Sequence, residues 1–350
     1  MHRLARLDGP GLLQHVMARG IERRYIFKDD KDRKAFLERL ASILEETQTQ
    51  CYAWALIPNH FHLLLRTGQT PLSKVMRRLM TGYAVAFNKR YKRRGHLFQN
   101  RYKSVVCEED PYLLELIRYI HLNPLRASVV KDLMELDKYP WCGHSAILGK
   151  RKNPLIPEAP NKPNKTEKTL AEKTIEDVLL NFGDKIKEAP KRYLHFVKQG
   201  LYQGTRPELQ GGGSVRSAGG NRAGILGRKI EEREKGDERI LGSGDFVSNV
   251  LKEFDEFEEK RKGYSLTLDE LIDRIARRFN IDKAHITSNM RQRNISMACC
   301  LISFFALYAM QCSGANVAKA LNVSRIAVSK ASQMGKKMVD SYKDLWHLVE

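Results

Sequence analysis

What most constrains this chain is the order in which its hydrophobic period changes. Between Leu12 and Ile120 the apolar residues alternate between a strand repeat of about two and a helical repeat of about 3.6. Leu12–Arg19 reads as a strand. Lys31–Thr47 has helical spacing through Phe36, Leu37, Leu40, Ile43 and Leu44. Cys51–Ile57 and His60–Arg66 are two short apolar strands, and Pro58-Asn59 between them is a tight hairpin turn. A long helix is expected over Leu72–Tyr91, a strand over Lys103–Cys107 and a helix over Pro111–Ile120. The resulting order, β-α-β-β-α-β-α, is the split βαβ or ferredoxin-like pattern with one extra helix, so the fold class is α+β.

Composition changes beyond this region. Arg151–Thr169 holds Pro154, Pro157, Pro160 and Pro163 among Lys and Asn, which is linker chemistry. A short helix is expected around Thr174–Phe182, and a glycine-rich break runs from Gly211 to Gly220. From about Glu231 the chain reads as helical to its end. Three parts are expected: 1–150, a linker with short helices over 151–230, and an all-α domain over 231–350. The text Arg239–Val247 fits neither pattern and suggests no mechanism.

Charge narrows the partners. The chain has 61 Lys and Arg against 41 Asp and Glu, a net charge of +20. An excess of that size favours a polyanion, nucleic acid above all. It is also uneven. Thr47–Cys107 contains no Asp or Glu, yet it carries Arg66, Lys74, Arg77, Arg78, Lys89, Arg90, Lys92, Arg93, Arg94, Arg101 and Lys103. Read along the chain, these cations are uncompensated. No apolar run reaches the ~18–20 residues of a membrane span, and an apolar leader is not seen, so no membrane partner is expected. The six cysteines form no CxxC, which suits reduced thiols in a cytoplasm; a nucleoid-associated protein is expected.

Two local texts carry chemistry. In Asn59-His60-Phe61-His62 the histidines are two apart on a strand, so they share a face while Phe61 points to the other side. Two such imidazoles make half of a divalent-metal site, although at this spacing they are more often a polar face or a core-edge pair. Tyr119 and Asn123 are four apart on a helix and point together. A phenol can act as a covalent nucleophile, and an amide oxygen can serve a hard cation. Singly, they are more often a core tyrosine and a helix end before Pro124. Together the pieces have a logic. An ion on His60, His62 and Asn123 would polarise a scissile phosphate, Tyr119 would attack it, and the basic segment would hold the strand. His121 faces away from Tyr119 and reads as a satisfied structural histidine; His15 reads as packing. In Gly95–Lys103, His96, Gln99, Arg101 and Lys103 suit bases or phosphates, next to Arg93 and Arg94. Phe98 and Tyr102 are candidates for stacking on unpaired bases, Phe98 the more core-like of the two.

In this order the texts resemble the single-tyrosine HUH transposases, and most closely the REP-associated tyrosine transposases (RAYTs). The resemblance rests on His15-Val16 with Arg19-Gly20, on Pro58–Leu64 around the paired histidines, on Gly95–Ser104 and on Tyr119–Pro124. It implies that His60 and His62 are the paired ligands, that Tyr119 is the nucleophile forming a 5′-phosphotyrosine, and that Asn123 stands where relatives place an amide-type ligand. It implies Mg²⁺ or Mn²⁺ as the ion and single-stranded DNA near palindromic hairpins as substrate. Tyr112 is a weaker rival, since Leu116 and not a carboxamide lies four residues on.

Near the end, Ala315–Lys330 reads as a helix-turn-helix. Val317, Ala318 and Leu321 pack its first helix, Asn322-Val323 turn, and Ser324 caps the second. Arg325, Ser329 and Lys330, with Ser324, are expected to meet duplex DNA. The region resembles the C-terminal DNA-binding domain of the replication initiator DnaA, including Leu268–Ile272 and Arg291-Gln292-Arg293. The text Ser324–Val328 departs from that family's recognition helix, so its sequence specificity does not carry over. No GxxxxGK[ST] loop occurs in the sequence, and no nucleotide cofactor is expected. The sequence points to a DNA transposase-like enzyme. A DNA-binding regulator without strand transfer, and a metal-dependent nuclease using water, are its rivals.

Overall fold

The computed structural model describes residues 6–156, 168–183, 188–204, 206, 209, 236–263, 266–288, 292–310, 312–341 and 343–348. The chain divides into two compact units, 1–251 and 252–350.

The first unit is built on a sheet of five strands among the described residues, in the order β2-β3-β1-β4-β5. Its strands are β1 (Leu13–Arg19), β2 (Gln50–Ile57), β3 (His60–Arg66), β4 (Lys103–Cys107) and β5 (Ile240–Leu241). The first four pair antiparallel; β5 adds to β4 in parallel. Helices α1 (Asp30–Thr47), α2 (Leu72–Arg90) and α3 (Glu109–His121) take the expected places between and after the strands. Each has a local reason to start or stop. Asp29 accepts the backbone N–H of Asp32 at the head of α1, and Gln48 ends it in the left-handed conformation. Glu109 and Asp110 sit at the positive end of α3. The β2–β3 turn is two residues long, because Ile57 pairs with His60.

Alternation splits the sheet's side chains between two cores. Val16, Ala18, Trp54, Leu56, Phe61, Leu63 and Leu65 face α1 and α2. Leu13, Ala53, Ala55, Leu64, Val105 and Cys107 face α3. The second core also takes in side chains from α4 (Asn123–Arg126), α5 (Leu133–Lys138), α6 (His144–Ile147), α7 (Leu170–Leu180) and α8 (Ala189–Gln199).

Three expectations change. The 151–230 stretch is not linker throughout: Val178 on α7 and Tyr193 and Val197 on α8 are buried in the second core. The Pro-rich residues 157–167 and the Gly211–Gly220 break lie outside the described residues. The unexplained Arg239–Val247 text supplies β5 to the first unit. Val106 and Glu108 donate to the carbonyls of Arg239 and Leu241, and the Glu108 carboxylate accepts from Ser243 N and Oγ at 2.7 and 3.2 Å. The boundary therefore falls at 251, inside α9 (Gly244–Gly263), and not near 231.

The second unit contains α10 (Leu268–Phe279), α11 (Lys283–Ile286), α12 (Arg293–Tyr308), α13 (Gly314–Ala320) and α14 (Arg325–Ser341). Thr267 and Glu270 form a capping box on α10. Leu271, Ile275, Leu301, Phe305, Val317, Leu321 and Val328 share one core. Arg291 lies outside the described residues. No described helix is long and apolar enough to cross a membrane.

A buried polar chain ties the first unit's helices together. Asp137 on α5 bonds His144 Nε2 at 2.8 Å, and the Tyr193 hydroxyl lies 2.8 Å from both His144 Nδ1 and His121 Nδ1. A carboxylate only accepts, so His144 carries its proton on Nε2. Its Nδ1 then accepts from Tyr193, and Tyr193 accepts from His121. His121 Nε2 is buried without a partner among the described residues, so the expected satisfied histidine is satisfied on one side only. Tyr193→Phe would orphan two imidazole nitrogens, each costing about 1–3 kcal/mol. We expect a lower urea midpoint with an unchanged m-value; an unmoved midpoint would show that this chain contributes nothing.

Candidate functional site

The site forms where β1, β3 and β4 present one face beyond the cover of α3. Opposed residues of an antiparallel pair point the same way. Arg19 opposes His60, Met17 opposes His62, and Lys103 opposes Met17 from the other side. The connection from α2 is stitched to the end of β1 by Ile21 N to Leu97 O at 3.0 Å and Gln99 N to Arg19 O at 2.9 Å. Gly20 lets the turn after β1 fold back closely, since a Cβ there would collide with the Arg24 carbonyl. The outcome is a cleft of ≈ 340 Å³ lined by Met17, Ala18, Arg19, His60, His62, Gln99, Asn100, Arg101, Lys103 and Asn123.

Hydrogen bonds fix the chemistry of the two imidazoles. His60 Nδ1 lies 2.6 Å from Asn59 Oδ1. His62 Nδ1 lies 3.0 Å from His15 Nε2, and His15 Nδ1 lies 3.0 Å from the Leu209 carbonyl. Both cleft histidines therefore have Nδ1 engaged, which leaves Nε2 as the available nitrogen. Burial, aided by the Arg19 charge, holds His60 to about 4, and burial likewise puts His62 well below its ordinary value. Burial also lowers His15 to about 4, against the raising effect of its bond to Leu209. All three rings are neutral near pH 7, the state in which imidazole can ligate a metal.

Asn123 lines the same cleft. Its Nδ2 donates to the Tyr119 carbonyl at 3.0 Å, so Oδ1 is the end a cation would meet. No group of three or more His, Cys, Asp or Glu among the described residues is placed to hold a metal. An amide oxygen beside two imidazoles is a donor type that suits a hard divalent ion.

Tyr119 packs edge-on against both histidine rings, with centroids 6.0 Å from His15 and 6.2 Å from His62. It is only 4% exposed and does not line the cleft. The Arg126 guanidinium lies 4.9 Å over its ring and donates to its carbonyl at 3.3 Å. The rival Tyr112 is half-buried against the α3-side core.

Several expectations separate here. Gln99, Arg101 and Lys103 line the cleft with the histidines, while Arg93, Arg94 and His96 do not. Tyr102 is no stacking platform: it is buried under the Arg6 guanidinium, 4.2 Å from its ring centre. Phe98 packs against the core beside Phe61. The acid-free segment is also less uncompensated than its sequence implies. Arg66 pairs with Glu109, Arg78 with Glu46, and Arg90 with Asp29 and Asp32, all from outside the segment. Arg19 and Asn100 in the cleft were not singled out by type or spacing. The strand register marks Arg19, because it places that residue opposite His60. In the second unit, Ser324 Oγ accepts the Ala327 N–H at 3.2 Å at the head of α14. Arg325, Ile326, Ser329 and Lys330 are exposed on that helix.

Residues 10–123 match the family described as Transposase IS200 like. Among solved structures, one that matches is a REP-associated tyrosine transposase bound to a REP hairpin. It is 13% identical with a TM-score of 0.37, over 48% of this chain and 98% of that one. No curated protein matches the chain.

The buried neutral histidines make stability sensitive to acid. His15, His60, His62, His121 and His144 are all lowered in the fold, while unfolded histidines titrate near about 6.5. Between those values the unfolded chain binds more protons, so stability is intact above about pH 6.5 and falls as pH drops toward 4. Each such group adds up to about 1.4 kcal/mol per pH unit within its window. Urea midpoints measured from pH 7.5 to 4.5 without metal should fall steeply below 6.5; a flat profile down to pH 5 would contradict the buried neutral rings.

Proposed function

We propose that the first unit cuts and rejoins single-stranded DNA at hairpin-bearing sites through a covalent 5′-phosphotyrosine on Tyr119, with Mg²⁺ or Mn²⁺ at His60, His62 and Asn123. The observation that carries this reading is the orientation of the cleft imidazoles, each with Nδ1 already engaged and Nε2 available, beside an amide oxygen and a tyrosine ring. The match of residues 10–123 to an IS200-like transposase family supports it. A bound divalent ion would draw charge from the non-bridging oxygens of the scissile phosphate.

The chain's own residues account for the rest. Arg19, Arg101 and Lys103 line the cleft and meet the phosphodiester backbone, and Gln99 and Asn100 offer amides to phosphate or base edges. The Tyr119 oxygen attacks phosphorus and loses its proton. The P–O3′ bond breaks, the departing 3′ oxygen gains a proton, and the 5′-phosphate stays on the tyrosine. Attack of a 3′-hydroxyl on that ester reverses the balance, reseals a strand and frees the phenol, with no ATP consumed. Because Tyr119 is buried beside the histidines, its ring must turn toward the cleft to react.

In this reading the second unit holds duplex DNA through α14, which presents Arg325, Ile326, Ser329 and Lys330 while Val317, Leu321 and Val328 are buried.

Incubating the full chain with labelled hairpin single-stranded DNA and Mg²⁺ tests the catalytic reading. We expect an adduct that survives denaturation and is absent in Tyr119→Phe. Cleavage that persists in Tyr119→Phe would identify a nuclease using water, and binding without cleavage would identify a regulator. His60→Ala should lose cleavage by a hundredfold or more, on the order of a missing electrostatic element of catalysis, while binding falls far less. Loss of binding in a folded His60→Ala would make the histidines DNA contacts. For the second unit, Arg325→Ala and Lys330→Ala should each weaken duplex binding and reduce its salt slope by about 1; unchanged slopes would remove α14 from the interface.

A further inference from the structure

We infer that His15 is a positioning residue for His62, and that the backbone carbonyl of Leu209 sets the tautomer of His62 through it. The inference rests on the reading of His60 and His62 as ligands and goes beyond it. It brings a residue outside the 10–123 match into the site.

Which atoms can donate and which can accept fixes the proton on each ring. A carbonyl oxygen can only accept, so the 3.0 Å contact from Leu209 requires a proton on His15 Nδ1. The neutral ring then has a lone pair on Nε2. That lone pair, 3.0 Å from His62 Nδ1, requires a proton there. His62 Nε2 is left bare, the form that can ligate a cation. The two rings lie nearly parallel at 27°, with centroids 5.2 Å apart, so the bond also sets the plane in which His62 is held. Without His15, His62 Nδ1 would lose its partner in a site where His62 is 4% exposed. The ring would then be drawn toward the opposite tautomer, the form favoured by a free histidine side chain and unable to ligate through Nε2.

The two ligands are thus set differently. His60 is fixed by its neighbour Asn59 within the turn. His62 is fixed from 147 residues away in sequence, through a residue on the adjacent strand. The Leu209 end is itself anchored. Leu209 N donates to the Arg206 carbonyl at 3.1 Å, and Arg206 Nη1 reaches Glu115 at 3.2 Å and Gln203 at 3.0 Å. Glu115 belongs to α3, the helix that carries Tyr119. One tether therefore links the nucleophile's helix to the orientation of a ligand on β3.

The test uses the full chain with ¹⁵N-labelled histidine, the His62 signals being assigned by their loss in His62→Gln. Long-range ¹H–¹⁵N spectra of the metal-free protein should show His62 protonated on Nδ1. In His15→Phe, which keeps a ring against Tyr119 but removes both hydrogen bonds, His62 should shift toward the Nε2–H form. Mn²⁺ affinity measured by calorimetry should then fall about 10–100-fold, the usual effect of losing such an outer partner. His15→Gln, whose amide offers a donor and an acceptor in place of the two ring nitrogens, should recover much of both. Wild-type His62 protonated on Nε2, or a tautomer or affinity unmoved in His15→Phe, would overturn the inference. If the tautomer responds as expected while the wild type binds no Mn²⁺, the relay stands and the metal-dependent reading falls.

Discussion

The register of β3 against β1 is the constraint on which the site depends. Ala18 opposes Phe61, so both face the core under α1 and α2, while Arg19–His60 and Met17–His62 face the cleft. A slip of one residue would turn both histidines into an apolar core and Phe61 into the polar cleft, so burial itself enforces the arrangement. Phe61 is fully buried and packs at 4.9 Å against Phe36 of α1. The hydrophobic energy that holds Phe61 in place is thus the energy that aims two imidazoles at the opposite side.

This part of the molecule is legible in the sequence because it depends on short-range periodicity. Strand and helix order through residue 121, the shared face of His60 and His62 and the burial of Val317, Ala318 and Leu321 all follow from repeats of two or 3.6. What the sequence hides comes from pairings between distant residues. Arg66, Arg78 and Arg90 look uncompensated along the chain because Glu109, Glu46, Asp29 and Asp32 lie outside the acid-free stretch. Tyr102 looks like a stacking aromatic until the strand places it under Arg6. Ile240 and Leu241 are too short a run to read as a strand, and they become one only because β4 offers a free edge. His15 is the clearest case. Nothing in His15-Val16 shows that one ring nitrogen meets residue 62 and the other residue 209.

The proposed reaction requires the Tyr119 phenol to leave its buried place, and the fold restricts how it can. The last turns of α3 are held from two sides by buried histidine chains. On one side, Tyr119 lies against His15 and His62, which are anchored to Leu209. On the other, His121 is joined through Tyr193 and His144 to Asp137. Between them Arg118, 5% exposed, is bound to Glu115 and Gln203, with Phe196 4.1 Å from its guanidinium. Sliding the helix would break the His121–Tyr193 and Arg118–Gln203 bonds together and leave buried polar groups unpaired, each costing about 1–3 kcal/mol. Turning the Tyr119 ring leaves those two bonds in place. Its contacts include the edges of two imidazoles and the Arg126 guanidinium, the latter contact worth about 0.5–2 kcal/mol. In the proposed reaction, rotation of the side chain on a fixed helix would bring the phenol to a strand in the cleft while α3 and the cleft imidazoles keep their places.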